Sequence, residues 1–454
     1  MNAAPKTATI DEFFNEVRQH EASGRLEAGD LLAEQIVEAA PALAEAQSTA
    51  GMLAFKRGDM SRALKRLNKA IELAPQSATY PRNICLIYHS MGRLDEALAM
   101  AQRAIELAPR ETALYFNKSL ILLDMQKLDE ALLAIDQSLA LSPDYPEANF
   151  QRAEIQLLAG RFAEGWQSYE RRFELEQGKN MLPKTKNPQW DGKVLPAGRL
   201  LLVADQGFGD CIQFARYLPW VAARAPTPIL ATSPELLPLL GQMKEVGRQV
   251  MTWPADGEYD AYIPLSGLPR LAGTTVQTIP TNVPYLFANP QRVAFWRERL
   301  AGLVAPGLKR IGLVWAGRPT HLKDAKRTVK LSQFMPLLSR PDVAIITLQK
   351  GDRIDEVGLS FGRAPLINLG PSLNDFTDTL AVLQSLDRLV AIDTSVAHLG
   401  GASGVPTSLI LPYTPDWRWL LGRDDTPWYP TMRLFRQERH GDWSGVAERV
   451  AASL

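Results

Sequence analysis

The sequence predicts two architectures in one chain, an all-α superhelix of repeats followed by an α/β region with two halves. Proline, alanine and glycine recur every 34 residues through the first 176 residues. After residue 198, short runs of valine, isoleucine and leucine alternate with helix-like segments, as in parallel sheets that are buried on both faces. The predicted fold class is therefore α + α/β.

The repeat is defined by turn, packing and proline positions. Prolines end "IELAP", "IELAP" and "LALSP", alanines recur within the helices, and glycines mark the turns, with Gln126 replacing glycine once: Pro75, Pro109, Pro143; Ala63, Ala97, Ala131; Gly24, Gly58, Gly92, Gly160. A 34-residue unit of two amphipathic helices resembles the tetratricopeptide repeat. We predict five repeats, at 7–40, 41–74, 75–108, 109–142 and 143–176.

Stacked repeats of this kind form a concave groove suited to an extended peptide or a partner's helix. The alternative, that the array only stabilises or dimerises the chain, stays open. The predicted repeat domain is 1–176, and a linker rich in proline, glycine and lysine follows at 177–198. Within the linker, "NPQWDG" is expected to dock Trp190 onto the next domain, so a fragment beginning near 185 is predicted to retain the whole α/β region.

Two groups of apolar runs predict the strands of the α/β region. The first group is "RLLLVA", "PILATS", "RQVMTW" and "DAYIPL", and the second is "KRIGLVWAG", "VAIITLQ", "PLINLG", "RLVAID" and "TSLILP". They predict two halves, 199–290 and 291–454. In open α/β sheets, ligands bind at the carboxyl ends of the strands, and the unusual loops of this region follow such strand ends.

Composition narrows the function classes. Lys plus Arg and Asp plus Glu are both 50, so no net charge favours nucleic acid or an anionic membrane. The two cysteines, Cys85 and Cys211, lie far apart in the sequence, which predicts reduced thiols and a cytoplasmic protein. Neither a signal peptide at the start nor an apolar run of membrane-spanning length is recognisable.

Several loop motifs point to one enzyme family. "DQGFGDCIQFARYLP", "GLVWAG", "LQKG", "IDTSVAHLGGASGVP" and "LPYTPDWRWLLGRDDTPWYP" resemble the heptosyltransferase family (glycosyltransferase family 9) found in bacterial repeat-containing glycosyltransferases, and more distantly O-linked N-acetylglucosamine transferase. The resemblance implies a GT-B fold of two Rossmann-like halves. It also implies metal-independent sugar transfer, with the acceptor on the first half, a nucleotide-sugar donor on the second, and no cofactor.

The resemblance implies that Asp210 is the catalytic base, at the strand-to-helix turn that Gly207 and Gly209 allow. A competing interpretation is that Asp210 and Gln213 form a capping box, which would hold the carboxylate in a structural role. Relatives usually carry glutamate where this chain has Asp205.

Donor-binding side chains are predicted at two loops. A helix N-terminus with hydroxyl groups binds phosphate, and the resemblance adds a histidine and an arginine; these residues are Arg327, Asp393, Thr394, Ser395 and His398. Arg318, Lys323 and Lys326 are nearby cations, and a solvated basic loop is the alternative that fits at least two of these four residues, Arg327 included. The predicted pocket-lining residues are Gln206, Gly207, Gly209, Trp315, Lys350, Asp416 and Trp417. No cysteine or histidine spacing suits a metal site.

The predicted function is a glycosyltransferase that modifies serine or threonine of a protein recruited by the repeats, with flagellin as one candidate acceptor. Two alternatives remain at this point. One is a repeat scaffold with a degenerate transferase fold, and the other is a transferase acting on lipopolysaccharide sugars. The sequence identifies neither the sugar nor the nucleotide.

Overall fold

The computed structural model describes residues 9–196, 198–320, 324–359 and 362–454. The chain divides into two compact units, Met1–Ala148 (the first unit) and Asn149–Leu454 (the second unit). The predicted fold class, α + α/β, is confirmed. No helix of the described residues combines the length and apolarity needed to span a membrane.

Paired helices form the repeats. Their bounds are α1 Ile10–Ala22, α2 Leu26–Ala39, α3 Ala44–Lys56, α4 Met60–Leu73, α5 Thr79–Ser90, α6 Leu94–Leu107, α7 Thr112–Asp124, α8 Leu128–Leu141, α9 Pro146–Leu158 and α10 Phe162–Tyr169. A 3-10 turn, Glu170–Glu174, follows α10. The turn glycines have positive φ, and Gln126, which replaces one of them, takes the same conformation with φ 59°. Backbone geometry thus explains why glycine recurs at the turns.

Small residues let the helices of each repeat pack closely. Ala63, Ala97 and Ala131 are fully buried, each on the second helix of its repeat. In the fifth repeat the matching residue is Gly165, where a Cβ would lie 2.7 Å from the Leu157 side chain. The predicted packing role of these positions is therefore confirmed.

The second unit contains two sheets in which every pair of neighbouring strands is parallel. The strands are β1 Leu200–Val203, β2 Ile229–Ala231, β3 Arg248–Val250, β4 Ala261–Pro264, β5 Lys309–Val314, β6 Val343–Thr347, β7 Leu366–Asn368, β8 Arg388–Ile392, β9 Thr407–Leu411 and β10 Met432–Arg436. The helices are α11 Phe208–Phe214, α12 Leu218–Ala222, α13 Leu237–Leu240, α14 Leu268–Leu271, α15 Pro290–Leu303, α16 Asp324–Arg327, α17 Met335–Leu338, α18 Phe376–Leu383, α19 Ser395–Ala402 and α20 Ser444–Ala452.

Strand order gives each sheet a point where the direction of winding reverses. The first sheet has the order β3-β2-β1-β4, and the second has β10-β9-β8-β5-β6-β7. The second order is that of the doubly wound dinucleotide-binding fold, and the first matches its opening four strands. The reversal lies between β1 and β4 in one sheet and between β5 and β8 in the other. Ligands bind beside such switch points, at the carboxyl ends of the strands.

Two features differ from the sequence-based predictions, and a third confirms one of them. The compact units divide at 148/149, within α9, and not at 176/177, so α10 belongs to the same unit as the sheets. Strand β10 was not predicted, because its exposed Arg433 interrupts an apolar run; an edge strand tolerates this. Trp190 does dock as predicted: it is buried, and its backbone N–H donates to the Tyr262 carbonyl of β4 at 2.7 Å.

Candidate active site

Two helix N-termini, one from each sheet, begin at the switch-point loops. After β1 the chain turns at Gly207 into α11, and after β8 it turns at Thr394 into α19. Gly207 has no side chain, and the Thr394 side chain makes no hydrogen bond to the backbone of α19. The first N–H groups of a helix need partners and carry partial positive charge. Both ends therefore offer donors at the carboxyl edge of their sheets.

These two helices pack against each other. A Cβ on Gly209 would lie 2.7 Å from Cδ2 of His398 and 3.5 Å from Cα of Ser395. Only glycine lets α11 approach α19 this closely without a shift of the imidazole ring. Gly209 therefore has a packing role between the two halves, beyond the turn that the sequence predicts for it.

Arg418 joins the two halves at this contact. Its guanidinium donates to the Asp210 carboxylate and to Gln213 Oε1 at 2.6 Å, both on α11, and to Asp416 Oδ1 at 2.7 Å. The Arg418 side chain is only 8% exposed, so it is held in place. Sequence reasoning assigned this residue no role, although a charged side chain between two tryptophans in "DWRW" was a visible signal.

Asp210 lies in the first turn of α11, and the helix begins two residues earlier, at Phe208. Asp210 and Gln213 do not form the alternative capping box, because Gly207 is the N-cap and Gln213 is a buried partner of Arg418. The Asp210 carboxylate does accept a hydrogen bond from the Gly207 backbone N–H, which acts to lower its pKa. Burial raises the pKa of Asp210, while the Arg418 guanidinium opposes that rise. A raised pKa makes a carboxylate a better proton acceptor near neutral pH.

His398 and Asp393 are neighbouring side chains whose pKa values are both shifted. His398 Nε2 lies 3.7 Å from Asp393 Oδ1, and His398 Nδ1 lies 2.8 Å from the Tyr429 hydroxyl. Burial lowers the pKa of His398 to about 3, and the Arg418 guanidinium acts in the same direction. Burial raises the pKa of Asp393 to about 6, and the nearby Asp416 carboxylate adds to this rise. The imidazole is therefore neutral at physiological pH and serves as a hydrogen-bonding group.

Arg327 approaches the same loop from the segment that follows β5. Its positive charge opposes the rise in the pKa of Asp393, and its Nε lies 3.5 Å from Asp324 Oδ1. A Cβ on Gly317 would lie 2.1 Å from that carboxylate and 3.0 Å from the Arg327 guanidinium. The glycine after β5 thus makes room for the arginine. Lys323, also predicted as a nearby cation, lies outside the described residues.

The remaining predicted donor and loop residues are partly exposed. Thr394 and Ser395, at the start of α19, are half-buried, as is Gln206, whereas Gly207 is exposed. Gln206 Oε1 accepts a hydrogen bond from the Tyr169 hydroxyl at 3.1 Å. Thr394 Oγ1 donates a long bond, 3.4 Å, to the Ile392 carbonyl. The structure thus brings the two predicted loops together at one place.

Two predicted pocket-lining tryptophans do not line an open surface. Trp315 is fully buried in the core of the second sheet, and Trp417 is 3% exposed. Trp417 packs edge-on against Trp166 of α10, with ring centroids 5.3 Å apart. Lys350 is exposed and donates to the Leu373 carbonyl, and Asp416 is half-buried beside Arg418. The large apolar area of the tryptophans explains their burial.

Arg216 is a second residue that sequence reasoning missed. It is buried and donates to the Trp428 carbonyl at 2.7 Å and to the Pro280 carbonyl at 3.2 Å. Its guanidinium also lies over the rings of Tyr285 and Tyr429, at 5.2 and 4.7 Å. Arg216 therefore ties the end of α11 to the second half. Among the described residues, no group of three or more His, Cys, Asp or Glu side chains is placed to hold a metal ion.

A separate concave site lies within the first unit. It has a cavity volume of about 420 Å³ and is lined by apolar and polar side chains of α1, α3 and α5: Phe14, Val17, Arg18, Glu21, Glu45, Ser48, Thr49, Met52, Leu53, Thr79, Tyr80 and Asn83. The lining helices are the first helices of three successive repeats. This is the groove that stacked repeats were predicted to form.

Comparison with known proteins identifies the repeats. A tetratricopeptide-repeat family model matches residues 48–112, 86–146 and 116–173. Protein FlbA of Caulobacter vibrioides is 28% identical over 341 residues, which cover 68% of this chain. The alignment spans 55% of FlbA, little more than half of that relative.

Solved structures match about a third of the chain. PilF of Pseudomonas aeruginosa is 18% identical over 36% of this chain and 75% of its own, with a TM-score of 0.34. A thermophilic repeat protein of Thermus thermophilus is 23% identical over 37% of this chain and 92% of its own, also with a TM-score of 0.34. At TM-scores below 0.5, these likenesses carry no argument about this protein. The family match by itself shows that the chain contains tetratricopeptide repeats, which indicate a protein-interaction scaffold.

Proposed function

We propose that the protein is a glycosyltransferase of GT-B type, which moves a sugar from a nucleotide-sugar donor to a protein held by its repeats. The observation that carries the proposal is the meeting of α11 and α19. The Asp210 carboxylate, whose pKa is raised, lies in the first turn of α11, and α11 packs against the N-terminus of α19. A base and a phosphate site are the two elements that glycosyl transfer needs.

In the proposed reaction, Asp210 takes the proton of the acceptor hydroxyl. The acceptor oxygen then forms a bond to the anomeric carbon, and the bond from that carbon to the phosphate oxygen breaks. Its electron pair leaves on the phosphate. The N-terminus of α19, with the Thr394 and Ser395 hydroxyls, would stabilise that charge, and Arg327 would add a guanidinium suited to phosphate.

The neutral His398 fits this role as a hydrogen-bond partner of the sugar or the phosphate. Because burial lowers its pKa to about 3, the imidazole stays uncharged and neither gives nor takes a proton during transfer.

The repeats provide the acceptor specificity. A groove with both charged and apolar lining suits a polypeptide, and tethering raises the local acceptor concentration to roughly millimolar.

The first test is nucleotide binding. UDP, GDP, ADP, CDP and CMP are titrated separately against the full chain in the presence of a chelator, and one of them should bind. Arg327→Ala should weaken that binding about tenfold or more, the scale of a charged hydrogen bond. Arg353→Ala, which removes an exposed arginine of the same half, is the control. Equal affinity in the two variants would place the phosphate at another basic residue.

The second test is transfer itself. Mass spectrometry of proteins from cells with and without the gene should reveal a glycan on serine or threonine of an acceptor. Asp210→Asn should reduce transfer by about 100-fold or more, the scale of general-base loss, with little change in the thermal midpoint. Asp342→Asn, at an exposed carboxylate, is the matched control.

The outcomes separate the alternatives. Activity retained in Asp210→Asn would assign the base elsewhere. Nucleotide binding without transfer to any acceptor would favour a non-catalytic scaffold. Transfer to a lipopolysaccharide sugar with no dependence on the repeats would exclude the protein-acceptor proposal.

A further inference from the structure

The fifth repeat departs from the second, third and fourth repeats along one side of its second helix and of the 3-10 turn that follows it. Aligned at 34-residue intervals, four positions change from aliphatic or small residues to aromatic residues or arginine: Met60, Leu94, Leu128 and Phe162; Leu64, Leu98, Leu132 and Trp166; Leu67, Ala101, Ile135 and Tyr169; Ala70, Ala104, Ser138 and Arg172. At the fourth of these positions all four residues, Ala70, Ala104, Ser138 and Arg172, are buried. A buried arginine in place of alanine needs partners that a neighbouring repeat does not supply.

Arg172 finds these partners at the switch point of the first sheet. Its guanidinium donates to the Ser266 hydroxyl, which follows β4, and lies 3.5 Å from the Asp205 carboxylate, which follows β1. Asp205 also accepts hydrogen bonds from the Ser266 hydroxyl and, at 3.2 Å, from its backbone N–H. The arginine therefore holds the carboxyl ends of β1 and β4 together.

Tyr169 reaches the next residue of the same loop. Its hydroxyl donates to Gln206 Oε1 at 3.1 Å, and its ring packs against Trp417 with centroids 5.9 Å apart. Burial raises the pKa of the Tyr169 hydroxyl, and the nearby charges of Arg418 and Asp210 act on that pKa in opposite directions. It thus contacts the loop of the first half and the aromatic segment of the second.

Trp166 makes the same connection one turn earlier. Its indole N–H donates to the Thr274 carbonyl of the first half at 3.0 Å, while its ring contacts Trp417 of the second. One helix of a repeat therefore contacts both halves, beside the loop 204–207 that precedes α11 and Asp210.

We propose that α10 and the following 3-10 turn are a positioning element of the candidate active site, in which Tyr169 and Arg172 fix the loop 204–207 and through it the place of Asp210 opposite Arg418. The catalytic part of this inference rests on the proposed function, whereas the positioning of the loop does not. The fifth repeat is thus a repeat in sequence, whereas its second helix belongs to the second unit in structure.

The first arm of the test measures the loop without any ligand. Hydrogen–deuterium exchange is followed on the full chain for amides 205–211 in Tyr169→Phe and Arg172→Met. We expect exchange about tenfold faster than in the unmodified protein, because the opening free energy of the loop falls when its bonds are lost. Tyr115→Phe, which removes a hydroxyl bond in the fourth repeat, and Leu337→Ala, a core variant of the second sheet, are the controls.

The second arm is the pH profile of transfer, with whichever sugar-linked UDP, GDP, ADP, CDP or CMP the unmodified chain uses. Loosening the Asp210–Arg418 pair removes a charge that favours the ionised carboxylate, so in Tyr169→Phe the acidic limb should move up by about 0.5 pH unit. A loss of folded protein would scale the profile without moving it.

Unchanged exchange at 205–211 in both variants, or equal acceleration in Leu337→Ala, overturns the positioning role. Faster exchange with a superimposable pH profile overturns its catalytic consequence. If the unmodified chain transfers no sugar, the proposed function fails, and the exchange arm still decides whether the fifth repeat holds the loop.

Discussion

The fifth repeat and the four before it share one sequence period and differ in what they pack against. In the second helix of the fourth repeat, Ser138 is buried and donates to the Thr112 carbonyl of its own repeat. The matching Arg172 is buried against Asp205 and Ser266, which follow strands of the first sheet. A shared spacing of turns and prolines therefore sets the local helix pair, while side-chain size and charge decide which surface the pair covers.

The comparison predicts where the chain tolerates truncation, and here we expect the largest effect. A fragment beginning at 143 keeps α9 and α10 and should unfold in one cooperative transition. A fragment beginning near 185 loses Phe162, Trp166, Tyr169 and Arg172, and should be unfolded. Removing a buried Phe or Trp side chain costs about 3–5 kcal/mol, and a domain has only about 5–15 kcal/mol in total. Circular dichroism against urea measures this.

That expectation replaces the prediction, drawn from the repeat period, that a start near 185 retains the whole α/β region. Deleting residues 1–40 is the matched control, because it removes one repeat of the first unit and none of the second. If the fragment starting near 185 unfolds as cooperatively as the one starting at 143, the fifth repeat contributes no more to the second unit than an ordinary repeat would.

The next largest effect compares a buried ion pair with one that is about one-third exposed. Arg172→Ala introduces the alanine of the second and third repeats and leaves the Asp205 carboxylate buried without its cation, so the free energy of unfolding should fall by about 3–5 kcal/mol. Arg82→Ala breaks a pair with Glu111 whose partners are 34% and 36% exposed, and should cost less than about 1 kcal/mol. Equal losses in urea denaturation would contradict the distinction between the repeats.

A pH titration of stability tests the buried groups of the second unit. The pKa of Asp393 is raised to about 6 in the folded state, so the folded protein binds more protons than the unfolded chain between about pH 4 and 6. This group's contribution is present below about pH 4 and lost as the pH rises through about 6, by on the order of 3 kcal/mol. His398, with its pKa lowered to about 3, has the opposite effect, because its contribution to stability rises with pH.

The two slopes oppose each other in the unmodified protein. Asp393→Asn should therefore make stability rise more steeply between about pH 4 and 6, and His398→Gln should make it fall. Urea midpoints at several pH values provide the measurement. Parallel curves for both variants would mean that neither group titrates with a shifted pKa.

The smallest effect concerns the aromatic face of the fifth repeat. Trp166→Leu restores the residue found at Leu64, Leu98 and Leu132, and removes the indole bond to the Thr274 carbonyl and the ring contact with Trp417. We expect a loss of about 2 kcal/mol from these two contributions. Leu132→Met, at the matching position of the fourth repeat, should cost under about 1.5 kcal/mol. A loss in Trp166→Leu no larger than this would mean that the aromatic contacts add nothing.

Much of the fold could be predicted, because its signals are local. Gly58 and Gly92 mark turns with a positive φ, which few residues other than glycine adopt readily. Continuous apolar runs indicated the buried strands. Strand β10 was missed because Arg433 is exposed at a sheet edge, which hides the run. Trp315 and Trp417 were assigned to a pocket because residue type alone does not distinguish a core tryptophan from one that faces a ligand.

The loops of the candidate site were also visible in the sequence, whereas the contacts between them were not. Asp210 and Arg418 are 208 residues apart in the chain, and nothing near either residue specifies the other. The same holds for Tyr169 and Gln206. Their pairing depends on how two sheets and one repeat helix pack, and burial then raises the pKa of Asp210.

By itself, the sequence determined the repeat period, the helix turns, the two groups of parallel strands and the loops that follow them. Each of these follows from backbone preferences and from the periodicity of apolar residues within a few positions. Only the tertiary structure decided that the fifth repeat belongs with the sheets, that Arg418 bridges the two halves, and that Gly209 lets α11 meet α19. The reason is that close packing and desolvation act between residues distant in the chain, where local pattern carries no information.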